Sequence, residues 1–132
     1  GLILTGVHNE FQSGEAFGQH ALSILKNTQS SSTAARTIFL VHTYLFSWTR
    51  PIRDGLKPLV QAYDIGFQIG DTESASFAVQ QWLIFKFILG TSLENLDADI
   101  DLYLRQMNDL KKAQAVKAMS ALRQLVLNLM RR

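Results

Sequence analysis

The chain has 132 residues, 47% of them hydrophobic, with 13 Lys and Arg against 11 Asp and Glu and no cysteine. That length supports one domain at most, and a chain of this size can bury a core without help from metal or disulfide. Lack of cysteine excludes a disulfide scaffold, a Cys-ligated zinc site and a thiol nucleophile, and it fits a reducing, cytoplasmic compartment; the apolar, weakly charged composition excludes intrinsic disorder.

Gly1 opens the chain in place of Met, and Leu2-Ile3-Leu4-Thr5-Gly6-Val7 begins in the middle of a pattern, with no basic stretch or cleavage site of a signal peptide. The far end runs through Leu125, Val126, Leu129 and Met130 into Arg131-Arg132 without a C-cap, so the sequence reads as an excerpt of a longer protein. Ser13 is placed to cap a first helix through Asn27, in which Ala16, Phe17, His20, Ala21, Ile24 and Leu25 recur at helical spacing. After the polar break Gln29–Ser32, a second helix is expected over Thr33–Trp48. Its apolar residues Ile38 to Val41, Tyr44 to Phe46 and Trp48 wrap most of its circumference, so most of its circumference must be covered.

Thr49-Arg50-Pro51 makes a turn, and a third helix follows to about Ile69, burying Leu56, Leu59, Val60, Tyr63 and Phe67. Pro58 should start or kink that helix, because proline lacks the amide and crowds the preceding turn. Gly70 is a C-cap, and Asp71 or Thr72 caps a fourth helix over Thr72–Leu89 that is again apolar most of the way round and ends at Gly90. Thr91-Ser92-Leu93-Glu94 has capping-box spacing, with Thr91 as the cap. The helix it opens carries Leu96, Ile100, Tyr103, Leu104 and Met107 on one stripe, and a last amphipathic helix over Lys111–Met130 uses Ala115, Met119, Leu122, Val126 and Leu129. Strand-like alternation is absent, so the fold class is all-α. Neither apolar stretch, Ile38–Phe46 or Trp82–Leu89, reaches the roughly 18 nearly uncharged residues of a membrane span; His42 and Thr43 interrupt one and Lys86 the other.

A period of about forty residues runs through these elements: a buried apolar helix, a short turn, and a more amphipathic helix. Hairpins are expected at about 1–28, 33–70 and 72–108, with a C-terminal helix at about 110–131. Such a period implies a right-handed α–α superhelix of stacked hairpins, in which the first helix of each pair is sandwiched and the second shows one face to water.

The run Trp48-Thr49-Arg50-Pro51-Ile52-Arg53, then Leu59-Val60-Gln61-Ala62-Tyr63-Asp64-Ile65-Gly66 and Gly70-Asp71, resembles the tetratricopeptide-like (TPR-like) region of very large signalling kinases. Phe17-Gly18 with His20–Leu25 matches the helix before, and Phe77-Ala78 with Gly90 the helix after, so the resemblance spans most of residues 1–108. In that family a protein-kinase-like domain and an AAA/STAND-type ATPase precede the repeats, and GAF sensor modules, often with a histidine kinase, follow them. The resemblance implies a cytoplasmic signal-transduction protein whose repeats link ATPase and sensor modules. The repeat here is nearer forty than thirty-four residues and Trp48 ends a helix instead of opening one, so peptide-binding residues of standard TPRs do not carry over.

No catalytic, cofactor-binding or metal-ligating set emerges. Gly66 and Gly70 lack the Gly-Lys-Ser/Thr ending of a phosphate loop, and the kinase Lys, His-Arg-Asp and Asp-Phe-Gly elements are missing. Asp97-Ala98-Asp99-Ile100-Asp101 resembles the start of an EF-hand loop, but Leu102 stands where the turn needs Gly and Asn108 where it needs Glu. These acids read as a solvated helix face, with Asp101 set to pair with Arg105. His8, His20 and His42 are scattered, and no nucleophile is placed to use His42 as a base.

Residues 49–108 hold five basic against eight acidic side chains, and residues 109–132 six against one. The basic last helix lacks aromatic residues to stack on bases and reads as a solvated face beside an acidic neighbour, so no nucleic-acid partner is expected. The leading reading is a non-catalytic protein-interaction and spacer segment, its partners being neighbouring domains of the parent chain or a peptide, with Trp48, Arg50, Arg53 and Tyr63 as candidate contact residues. The alternative is a self-contained helical bundle that binds an apolar ligand or regulates transcription. A closed bundle should be monomeric and cooperatively folded, whereas a slice of a stacked array should self-associate or melt broadly.

Overall fold

The computed structural model describes residues 2–27, 33–46 and 49–131, and all its regular elements are helical, with no strand among the described residues. In chain order they are α1 (Leu2–Asn27), α2 (Ala34–Leu40) with a π-helical continuation (Val41–Leu45), a 3-10 turn (Ile52–Gly55), α3 (Leu56–Ile69), α4 (Thr72–Ile88), α5 (Leu93–Asp109) and α6 (Ala113–Met130). Where a first helix was expected to start at Ser13, α1 is one unbroken helix that already includes Leu2. Gly6 and Gly14 each lower its intrinsic helix propensity by about 1 kcal/mol relative to alanine, but no proline stands in the way.

Local signals set most of the remaining boundaries. Pro58 is the third residue of α3, within the first turn, where its missing amide would have had no helical partner. Gly70 and Gly90 both take φ of +80°, a conformation that costs a side chain about 1–2 kcal/mol, and they close α3 and α4. The Asp71 side chain accepts from the Ser74 amide at 3.1 Å and starts α4. At α5 the expectation shifts by one residue: Ser92, not Thr91, is the cap, its hydroxyl accepting from the Asn95 amide at 3.2 Å. The α5–α6 turn holds Lys111 at φ 58°, with the Lys111 and Lys112 amides donating back to Asn108 and Met107.

The second helix departs from a regular α-helix. The Phe46 amide donates to the Val41 carbonyl, five residues back, so the chain widens over Val41–Leu45. That spacing sets the Tyr44 ring edge-on to Phe39, 6.2 Å between centroids. Val41 and Phe46 also face α1 at Gly18, where a Cβ would lie 2.6 Å from the Phe46 ring and 3.1 Å from Val41.

Two buried clusters fill the interior. One joins Ile38 of α2, Leu59 and Ala62 of α3, and Ala78 and Phe85 of α4, with Leu22 and Leu25 of α1 packed on it. The other joins Val79 and Leu83 of α4, Leu96, Ile100 and Met107 of α5, and Ala115, Met119 and Val126 of α6. Thus α4 belongs to both, and Trp82 packs against both. Its apolar residues point in nearly every direction, and it has neighbours at two flanks: α2 and α3 at one, α5 and α6 at the other. The main contacts run between consecutive helices from α2 to α6, and between the alternate helices α2, α4 and α6. Among the described residues no helix is long and apolar enough to cross a membrane.

The α3–α4 joint is closed by small residues. Gly66 lies against the first turn of α4 so closely that a Cβ would fall 2.8 Å from the Ala75 Cβ and 2.8 Å from the Asp71 carbonyl oxygen. The oxygen belongs to backbone and cannot swing aside. Gly66→Ala is therefore expected to destabilise the fold, since overpacking of about 1–3 kcal/mol exceeds the roughly 1 kcal/mol alanine gains in a helix. Urea unfolding checks this: a lower midpoint is expected, and an unchanged or higher one would show that the joint is loose.

Candidate functional site

Arg50 and Tyr63 of the expected contact set are both engaged inside the molecule, in different neighbourhoods. Arg50 follows the turn after the π-helical segment. Its Nε donates to Glu15 of α1 at 2.8 Å, its guanidinium carbon lies 3.8 Å from the centre of the Phe46 ring, and the Thr49 hydroxyl donates to the same carboxylate. Burial opposes charge on Glu15, but the hydrogen bonds from Thr49 and Arg50 outweigh it and hold that carboxyl below its usual range. This arrangement fastens α1 to the body. Arg53 is exposed on the 3-10 turn, and Trp48 lies outside the described residues.

His42 is half-buried beside this junction, edge-on to Phe46 at 5.0 Å. With Phe46, Arg50, Asp54, Gly55 and Phe85 it borders a cavity of only about 10 Å³, room for one water and no substrate. Burial first, then the Arg50 charge, pushes the imidazole below its ordinary pKa, with Glu15 pulling weakly the other way.

Tyr63 points from α3 toward α5. Its hydroxyl donates to the Gln106 side-chain oxygen, and its ring sits edge-on to Phe67 at 4.8 Å and to Tyr103 at 5.4 Å. Tyr103 is edge-on to Trp82 at 5.7 Å, and Lys86 covers Trp82 at 4.5 Å. Burial, then Tyr103 and Asp64, raises the Tyr63 hydroxyl to about 12. An open groove of about 370 Å³ runs beside it, lined by Tyr63, Phe67, Gln106, Asp109 and Leu110.

The acids that resemble an EF-hand start are not a calcium loop, and they are more than a solvated face. They lie within α5, where Asp97 accepts from Arg123 Nε at 2.9 Å and Asp101 from Arg123 Nη1 at 3.1 Å, so one guanidinium of α6 bridges two carboxylates one turn apart on α5. Asp99 pairs with Lys86 of α4 at 3.3 Å, and Asp101 also pairs with Arg105 at 2.9 Å, the one pair that its i,i+4 spacing announces. Half-exposed pairs like these contribute about 0–1 kcal/mol each, so their effect is mainly to fix how α5 sits on α4 and α6. Among the described residues no three His, Asp or Glu side chains converge as a metal site.

The surface that sequence reasoning missed lies along α4 and α2. On α4 the exposed positions Phe77 (44%), Ile84 and Ile88 (57%) share one stripe with Gln80, and on α2 and its continuation Leu40 and Tyr44 (59%) are exposed. The two helices meet there through Phe39 and Phe77, stacked 6.0 Å apart. Beside Phe77 a groove of about 340 Å³ runs between α4 and the start of α6, bordered by Glu73, Ser76, Gln80, Lys111 and Gln114. The signal was present: α4 is apolar on all sides, more than its neighbours cover. In comparisons with known proteins, no family model, curated protein or solved structure matches the chain.

Since burial and Arg50 disfavour the imidazolium, His42 takes up its proton more readily in the unfolded chain than in the folded one. Its contribution to stability is complete above pH 6.5, its ordinary pKa, and is lost as the pH falls below that value toward the folded pKa. Urea midpoints measured from pH 7.5 down to about pH 5 are expected to fall more steeply for the native chain than for His42→Gln. Parallel curves would show that the imidazole titrates freely.

Proposed function

We propose that this chain is a non-catalytic protein-interaction and spacer segment, a piece of a right-handed superhelix of helical hairpins. Taken this way, α2 with α3 and α4 with α5 are successive hairpins, and α6 is the first helix of the next. One observation carries the reading: the alternate helices α2, α4 and α6 pack on one another as well as on their chain neighbours, and α2 and α4 present adjoining exposed apolar side chains. Where the sequence leads one to expect the first helix of each pair to be covered on both sides, α2 and α4 keep exposed apolar positions, and in a stacked array a continuous face of this kind receives partners. Exposed aromatic and branched side chains of the Phe77, Ile84, Tyr44 kind are the usual anchors of such contacts.

The rigid α3–α4 joint at Gly66 and the Arg123 clamp suit a spacer, because both fix the angle between consecutive helices instead of leaving it to a flexible loop. The resemblance of the Arg50-Pro51 to Gly70-Asp71 run supports placing the segment between ATPase and sensor modules of a cytoplasmic multidomain signalling kinase, its partner a neighbouring domain or a peptide. No kinase chemistry is assigned to the chain itself.

Sedimentation of the isolated chain tests this reading. Concentration-dependent self-association is expected through the α2–α4 face, and the double substitution Ile84→Asp, Ile88→Asp, at exposed positions outside the Phe39–Phe77 contact, should abolish it while leaving the monomer folded. A chain that stays monomeric at all concentrations and unfolds in one sharp transition would instead support a closed bundle.

A further inference from the structure

Twice in this molecule a cation lies over an aromatic ring with a carboxylate beside it. Lys86 is 4.5 Å from the Trp82 ring centre and pairs with Asp99 at 3.3 Å; Arg50 is 3.8 Å from the Phe46 ring centre and pairs with Glu15. Ring, carboxylate and cation form one unit, in which the ring face attracts the charge and the carboxylate fixes its position. The groove between α3 and α5 has the first two components. Tyr63 and Phe67 stand at 70° to one another, giving it an aromatic corner, and the Asp109 carboxylate is on its rim. Among the described residues Asp109 has no ion-pair partner; Lys111 and Lys112, which follow it, border the separate groove against Glu73.

We infer that this groove receives an arginine side chain of a partner protein, its guanidinium against the Tyr63–Phe67 corner and its fork on Asp109. Arginine fits better than lysine because its planar, weakly hydrated head stacks on a ring while its fork engages a carboxylate. A partner surface fits better than a free small molecule, since five residues along an open trough cannot enclose one. Asp109 stands at the end of α5, and Asp64 acts on both neighbouring tyrosines, where burial is the larger cause of their raised pKa values. Phe67 is 38% exposed and already forms an aromatic surface to dock on. This site lies between α3 and α5, apart from the α2–α4 face, and stands whether or not the chain is a repeat segment.

Amide NMR of the chain titrated with acetyl-arginine amide tests the inference, with acetyl-citrulline amide as the neutral isostere. Saturable shifts centred on residues 63, 67, 106, 109 and 110 are expected, about five- to tenfold weaker for citrulline, consistent with cation–π and charge-assisted contacts of roughly 1 kcal/mol or more. Asp109→Asn and Phe67→Leu, both at exposed positions, should each reduce the affinity by a similar factor while leaving the rest of the spectrum in place. No saturable shift at these residues, equal binding of citrulline, or undiminished binding by Asp109→Asn would each overturn it.

Discussion

The arrangement depends on the burial of one helix on two of its sides. α4 contributes Ala78 and Phe85 to one buried cluster and Val79 and Leu83 to the other, and Trp82 touches both. A helix with a single apolar stripe serves one interface; α4 is apolar enough to serve two and still leaves Phe77, Ile84 and Ile88 at the surface. Burying a leucine such as Leu83 completely contributes about 1.5–3 kcal/mol, so the interior of α4 outweighs any single surface ion pair by a wide margin. Packing therefore sets the stability, and the polar contacts set the angles.

Those angles come from close approach and from forks. Gly66 against Ala75 and Gly18 against Phe46 let helices meet more closely than any side chain would permit. Arg123 reaches two carboxylates one turn apart on α5, which a flexible ammonium could not do with the same geometry. Glu15 holds Thr49 and Arg50 together at the turn after the second helix. Fixed angles between successive helices are what a spacer or a docking platform requires, so these residues bear on the proposed role although none of them is reactive.

Much of the fold was legible in the sequence because its signals are local. Gly70, Asp71 and Gly90 announce helix ends through backbone and capping chemistry, and the stripe Leu96, Ile100 and Met107 announces the buried side of α5. Ser92 was passed over for Thr91 because two adjacent hydroxyl residues offer the same cap, and only the local backbone decides between them. The reading of Asp97 and Asp99 as solvated failed because their partners, Arg123 and Lys86, lie on other helices, and no spacing along the chain reveals a pair made across an interface. The π-helical turn at Val41–Leu45 was invisible for the same reason: its sequence is that of an ordinary apolar helix, and its context is α1. Along the proposed groove the sequence marks Tyr63 as both buried and a candidate contact, Phe67 as core and Asp109 only as a charge, since the groove exists only where α3 meets the end of α5.

The sharing of α4 between the two clusters is tested most directly by native-state hydrogen exchange on Leu83→Ala. Leu83 belongs to the cluster with α5 and α6, so its truncation, costing about 2–5 kcal/mol, acts first on that side. With α4 common to both, amides of α2 and α3 should lose protection along with those of α5 and α6. Protection in α2 and α3 left at its native level would contradict the account, and would mean that the two halves are held independently.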